Sequence, residues 1–157
     1  MKVYADTNFF TNLLNELPHS DEADSLAAML KGSGHGPLPV TMLLRMEVVN
    51  ALQRLVYESK HGTQWIPVTE QSALMAEARF EMELDSKESP PWAWAEISER
   101  VIFNAFHNLS HRHTAKHGFR ACDIVHVATA VVLGCDTFWS FDAKAKKLAE
   151  LEGLTVN

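Results

Sequence analysis

The sequence predicts an α/β sandwich, with helices on both faces of a central, mostly parallel sheet of four to five strands. Three observations predict it. Short β-prone runs alternate with longer helical stretches along the chain, an alternation that needs crossover connections and so lays helices over a parallel sheet. The stretch 121–133 is apolar nearly all round, as a helix buried on such a sheet is. The 157 residues are 46% hydrophobic and 22% charged, an ordinary globular composition with enough apolar surface for one core and no length for a second. Residues 1–157 therefore read as a single domain.

The elements follow in order. Residues 2–5 are a β-prone run ending at Asp6, and residues 9–16 read as a helix broken by Pro18 and the polar His19-Ser20-Asp21. Ser20 or Asp21 is placed to cap a second helix through Lys31, with Leu26, Met29 and Leu30 on its apolar face. The glycine-rich stretch 32–37 is a loop. Residues 38–41 form a second strand, after which Thr41 caps a long helix over 42–59. A third strand is expected at 65–68, followed by a helix over 70–84 and a turn-rich break at 86–91. Helical spacing of Trp94, Ile97, Val101, Phe106 and Leu109 predicts a helix over 92–113. Gly134 ends the apolar helix 121–133. A strand at 138–141, a polar helix at 143–152 and a short strand at 154–156 complete the chain.

Charge narrows the function. Lys and Arg number 14 against 20 Asp and Glu, for a formal net charge of -6, so the bulk field repels nucleic acid. A nucleic-acid function here requires bound cations and a local basic rim. Cys122 and Cys135 suggest no disulfide framework; both lie in apolar stretches and read as small buried hydrophobes. No signal peptide and no run of the ~20 apolar residues that a membrane span needs is visible, which points to the cytoplasm.

Four acids stand where acids are unexpected. Asp6 ends the first strand and Asp142 ends the 138–141 strand, both at the carboxyl edge of the sheet where ligands of such folds bind. Glu47 lies in the largely apolar helix 42–59. Asp123 lies near the start of the most hydrophobic helix in the chain, where a carboxylate is costly unless paired. Each has an ordinary alternative: Asp6, Asp123 and Asp142 as helix caps, Glu47 as a partner of Arg45, Arg54 or another base. Together they suggest carboxylates gathered around a hard divalent cation, Mg²⁺ or Mn²⁺, and the chemistry such a site supports is phosphodiester hydrolysis.

The same residues carry a resemblance. Val3-Tyr4-Ala5-Asp6-Thr7-Asn8 resembles the opening strand and acidic turn of PIN domains, and Met46-Glu47-Val48 resembles their helix glutamate. Ala121-Cys122-Asp123-Ile124-Val125-His126-Val127-Ala128-Thr129-Ala130 closely resembles the family's buried aspartate helix. Trp139-Ser140-Phe141-Asp142 is similar to its second acidic turn. The resemblance runs over almost the whole chain in the correct order, and within the family it is to VapC-type toxin ribonucleases. It implies a PIN-like three-layer α/β/α sandwich and a catalytic site of Asp6, Glu47, Asp123 and Asp142 holding Mg²⁺ or Mn²⁺, with Thr7 and Ser140 orienting ligands or water. It further implies hydrolysis of RNA to a 5′ phosphate, inhibition by a small antitoxin protein, and a homodimer. The segment 86–94 matches no motif; packing of at least one of its tryptophans in a core is expected, a partner or dimer surface being the other use.

Arg112, Lys116 and Arg120 lead directly to Asp123 and are expected to contact RNA phosphates, forming the rim that the net charge requires. Lys144, Lys146 and Lys147 are either its other side or a solvated helix face. His107/His111 and His113/His117 have the i,i+4 spacing of a helical metal pair, yet no Glu or Cys completes a zinc motif, and surface or packing roles account for them. A dehalogenase-like phosphatase would carry a second aspartate where Asn8 stands, and the Gly-x-Gly-x-x-Gly of a nicotinamide enzyme is absent after the first strand. The remaining alternative is a solitary PIN-fold nuclease or a non-catalytic RNA- or protein-binding module.

Overall fold

The computed structural model of the chain describes residues 1–63, 66–88 and 90–157. In chain order the elements are β1 (Val3–Ala5), α1 (Thr7–Leu14), α2 (Ser20–Gly32), β2 (Leu38–Val40), α3 (Met42–Lys60) and α4 (Glu70–Leu84). There follow β3 (Trp92–Trp94), α5 (Glu99–His117), α6 (Ala121–Val132), β4 (Thr137–Trp139), α7 (Ala143–Leu151) and β5 (Thr155–Val156). Among the described residues every strand pairing is parallel, as expected of alternating strands and helices. The strands are divided between two ladders, β1-β4-β5 and β2-β3.

The chain forms two compact units. One comprises Met1–Asp6 and Glu96–Asn157 and holds the three-stranded ladder. Its strands are short but apolar, with Val3, Tyr4, Ala5, Phe138 and Trp139 all buried. α6 and α7 both pack on β4, and α5 packs along α6. The all-apolar reading of α6 holds on its inner side, where Asp123, Ile124 and the run from His126 to Ala130 are buried. Its first turn is open, however, and Cys122 is exposed, contrary to its reading as a buried hydrophobe; Cys135 is buried, and burial pushes its thiol up to about 11. Neither cysteine is in a disulfide.

The other unit, Thr7–Ala95, packs α1 against α2, α3 and α4. Its centre is aromatic: Phe10 meets Phe80 and Trp92 edge-on, with ring centroids 5.4 and 5.5 Å apart, while Phe80 and Trp92 stack at 5.7 Å. Such offset and edge contacts are the favoured arrangements of aromatic quadrupoles. The buried Trp92 indole N–H donates to the Phe80 carbonyl at 3.0 Å, so the ring is satisfied at both its apolar and polar ends. This fulfils the expectation of a tryptophan core contact in the 86–94 segment. Thr41 caps α3 as expected, its hydroxyl accepting from the Leu44 N–H.

Several element assignments are corrected. The helix expected over 92–113 begins only at Glu99, because Ser98 has extended backbone and residues 92–94 pair with β2 in the register Leu38↔Trp92, Val40↔Trp94. Pro90 and Pro91 before them disfavour helix, and alternating aromatics suit a strand. Of the strand expected at 65–68, Trp65 lies outside the described residues and residues 66–68 are not in a strand. Pro67 has no N–H to give a ladder, and the Val68 N–H is taken by the Ser59 hydroxyl at 2.7 Å. α2 is preceded by His19, with Ser20 already helical, and on its apolar side Leu30 is buried while Met29 is exposed. α3 is less covered than its sequence suggests, since Met42, Leu43 and Met46 are exposed.

The aromatic centre yields a stability test. Trp92→Ala removes the ring that Phe10 and Phe80 pack on and leaves the Phe80 carbonyl without its donor. Urea unfolding is expected to show a loss of about 3–5 kcal/mol; a loss under about 1 kcal/mol would mean that this cluster does not organise its unit.

Candidate active site

Parallel pairing of β1 with β4, in the register Val3↔Thr137, Tyr4↔Phe138, Ala5↔Trp139, carries both strands to one carboxyl edge. The ladder continues one bond further, from the Asp6 N–H to the Trp139 carbonyl at 3.1 Å. Asp6 and Ser140 therefore emerge side by side, both buried. The Ser140 hydroxyl donates to Asp6 Oδ2 at 2.6 Å and accepts from the Asp142 N–H at 2.9 Å. The Ser140 N–H donates to the Asn157 side-chain oxygen at 2.9 Å. One hydroxyl thus ties the first acidic position to the turn that carries the second.

Asp142 stands beyond the strand rather than at its last residue: β4 ends at Trp139 and Asp142 is the N-cap of α7. Its Oδ1 accepts from the N–H groups of Lys144 at 2.7 Å and Ala145 at 3.4 Å. Its Oδ2 accepts from Arg120 Nη2 at 2.6 Å. Burial pushes the Asp142 carboxyl up, but the Lys144 N–H, the Arg120 guanidinium and the Ala145 N–H together outweigh it and hold the group below the usual carboxylate range.

Asp123 is the third residue of α6 and only 4% exposed. Its Oδ2 accepts from the Arg120 N–H at 3.0 Å and from Arg120 Nε at 3.2 Å, and its Oδ1 from Arg120 Nη2 at 3.0 Å. The backbone bond is the helix-start bond expected of an acid in the first turn. Hydrogen bonds to Asp123 first, and to Asp142 next, raise the Arg120 guanidinium further above its already basic range. Arg120 was expected at the phosphate-binding rim; here it links two of the site's carboxylates.

Asp6, Asp123 and Asp142, linked through Ser140 and Arg120, offer only oxygen donors. That chemistry fits a hard divalent cation such as Mg²⁺ or Mn²⁺, and two buried carboxylates need positive charge to be tolerated. Among the described residues, no three Asp, Glu, His or Cys side chains are drawn together as a metal centre.

Within the other unit, Glu47 is half-buried on α3 and its Oε2 accepts from the Thr7 hydroxyl at 2.8 Å. The bases proposed as its alternative partners are paired elsewhere, Arg45 with Glu81 and Arg54 with Glu58. Thr7 follows Asp6 directly in the chain.

Of the other basic residues, Arg112 pairs with Glu152 at 2.7 Å, while Lys116 is exposed and makes no ion pair among the described residues. His113 also meets Glu152, Nε2 to Oε1 at 2.6 Å. His107 and His111 lie ring against ring at 4.2 Å on an exposed stretch of α5. Lys146 bonds the Asn157 carbonyl, and Lys144 and Lys147 are exposed.

Two positioning groups escaped the sequence reading. Glu152 is nearly buried and holds both Arg112 and His113, and nothing in its polar sequence context marks it. His126 is buried on α6, and its Nδ1 bonds the Tyr4 hydroxyl at 2.9 Å. A lone histidine in an apolar helix is the signal that could have found it.

Comparison with known proteins bears on the family and the fold. The family model described as PIN domain matches residues 3–151, and so runs through both units. Among solved structures, the Mycobacterium tuberculosis toxin VapC20, described as cleaving the sarcin–ricin loop, is similar with a TM-score of 0.61 at 16% identity. The match covers 92% of this chain and 93% of that one. No curated protein matches the sequence.

Ser140 holds the two acidic turns together, so Ser140→Ala removes the donor to buried Asp6 and the acceptor of the Asp142 N–H. A loss of about 1–3 kcal/mol is expected in denaturant unfolding, the usual cost of leaving buried polar groups without partners. Unchanged stability would show that the hydroxyl does not brace the site.

Proposed function

Because the chain belongs to the PIN-domain family, we propose that it is a metal-dependent endoribonuclease, the toxin of a type II toxin–antitoxin pair. The observation that carries the reading is the hydrogen-bonded series Asp6–Ser140–Asp142 at the edge of the β1–β4 ladder, with Arg120 joining Asp142 to the buried Asp123. By the resemblance, these correspond to the family's acidic positions in the family's order. Similarity to a VapC toxin fold supports the toxin reading.

Asp6, Asp123 and Asp142 would hold the cation, Mg²⁺ or Mn²⁺, with Glu47 as the fourth acid on the strength of the resemblance. When bound, such an ion supplies an acidified water and offsets phosphate charge. The chain's own groups supply orientation. Ser140 fixes one Asp6 oxygen by donation, and the Thr7 hydroxyl fixes one Glu47 oxygen in the same way. Asp142 is held below the usual carboxylate range by the α7 N–H groups and Arg120, which favours its ionised form. The substrate is RNA, the partners are a small antitoxin and a second copy of the chain, the site of action is the cytoplasm, and residues 1–157 make one PIN domain. No helix among the described residues is long and apolar enough to cross a membrane.

Purified protein incubated with total cellular RNA is expected to cleave it with Mg²⁺ or Mn²⁺ and not with EDTA. Asp123→Asn, which removes a charge at nearly constant shape, is expected to abolish cleavage while circular dichroism stays unchanged. Full activity of that variant overturns the site assignment, and no cleavage under either metal leaves the binding-module alternative.

Arg112, Lys116 and Arg120 are proposed to meet phosphates, and Lys116 is the cleanest probe because it holds no structural acid. Lys116→Ala is expected to lower the slope of log affinity against log salt by about 1, as for one lost phosphate contact. An unchanged slope removes Lys116 from the RNA interface.

A further inference from the structure

Arg120 meets three of the four carboxylate oxygens of Asp123 and Asp142: both oxygens of Asp123, and Oδ2 of Asp142. The fourth, Asp142 Oδ1, is taken by the backbone at the start of α7. One guanidinium is therefore the shared counter-charge of two acids on different helices. A divalent cation drawn to the same oxygens needs the same lone pairs and the same negative charge, and it repels the guanidinium at contact distance. Two features make the exchange mechanically easy. The Arg120 side chain is 62% exposed, so it has solvent to turn into. The backbone bond from the Arg120 N–H to Asp123 Oδ2 does not depend on the side chain, so α6 keeps its start when the guanidinium leaves.

The geometry points to Arg120 as a built-in competitor for the metal: guanidinium and divalent cation are alternatives at Asp123 and Asp142, and metal entry turns the arginine out. This rests on the proposed function for the metal's place at these aspartates. Two consequences follow. Arg120 lowers the affinity of the site for metal when no RNA is bound. And the released guanidinium, tethered three residues before Asp123, becomes a bidentate phosphate donor only once metal has loaded. Arg120 then serves both as the counter-ion observed here and as the phosphate contact expected from sequence, in succession.

The test measures metal binding in the absence of RNA, by titrating Mn²⁺ and following its electron paramagnetic resonance signal. Arg120→Gln is expected to bind Mn²⁺ about tenfold more tightly than the wild type, the size of one lost charge-assisted competitor bond. Arg120→Lys keeps the charge but loses the fork and is expected to move in the same direction by about threefold, which covers the case in which the glutamine variant fails to fold. Equal or weaker Mn²⁺ binding in the folded variants overturns the inference, since an arginine that merely organised the site would weaken binding when removed. Asp123→Asn separates the two readings. If it loses Mn²⁺ while the Arg120 variants match wild type, the metal site stands and the competitor role falls. If it binds Mn²⁺ as wild type does, the metal assignment and the inference fall together.

Discussion

The short parallel pairing of β1 with β4 is the constraint on which the acidic site depends. Each strand contributes three residues, too few to hold by ladder bonds alone, so register is fixed by side chains. Tyr4 stacks on Phe138 at 5.9 Å, and its hydroxyl bonds His126. His126 lies on α6, one turn after Asp123. A single buried tyrosine therefore joins the strand that delivers Asp6, the strand that delivers Ser140 and Asp142, and the helix that delivers Asp123. A one-residue slip would exchange the faces of the strand and take Asp6 away from the Ser140 hydroxyl.

With geometry fixed in this way, electrostatics becomes the governing difficulty. The chain carries a net charge of -6 and still buries Asp6 and Asp123. A buried carboxylate persists only if donors or a cation compensate its lost hydration. Asp6 accepts from Ser140; Asp123 takes all its described bonds from Arg120. Elsewhere in the unit Glu152 repeats the solution with Arg112 and His113. The basic residues before α6 are thus used first to neutralise the protein's own acids, which is why two of the three arginine and lysine side chains assigned to an RNA rim are found in ion pairs.

Much of this was legible in the sequence where a residue type conflicts with its surroundings. Asp123 in an apolar helix, and acids after two β-prone runs, pointed to the acidic positions of the candidate site, and the structure links three of them by hydrogen bonds through Ser140 and Arg120. Thr41 before a helical stretch gave a cap that the structure contains. What was not legible depended on partners distant in the chain. Trp92 to Trp94 continue the helical spacing of the residues after them, and only pairing with β2 makes them a strand. Ile66 and Val68 look like strand residues, yet Pro67 and the Ser59 hydroxyl remove the backbone donors that a ladder needs. Arg120 read as a free base because its three acid contacts include Asp142, 22 residues away. Cys122 read as buried because its neighbours are apolar, though it faces outward on the first turn of α6.

The sequence left each aspartate with two competing roles, helix cap or metal ligand, and for Asp123 and Asp142 the helix-start bond leaves the proposed ligand role open. Asp142 caps α7 with Oδ1, which fixes the plane of the carboxylate and presents Oδ2 to the cation it meets. Asp123 takes the Arg120 N–H on Oδ2 and so sets the direction of Oδ1. Asp6 is fixed on Oδ2 by Ser140. In each case the bond that a fold requires also removes the rotational freedom of the side chain, and that loss of freedom would otherwise be charged against cation binding. A helix start is electrically positive, so it stabilises the ionised carboxylate that a cation needs. Under the proposed metal role, helix-start bonds would prepare these acids for a cation instead of competing with it, and the competing group would be the one that brings a positive charge of its own, Arg120.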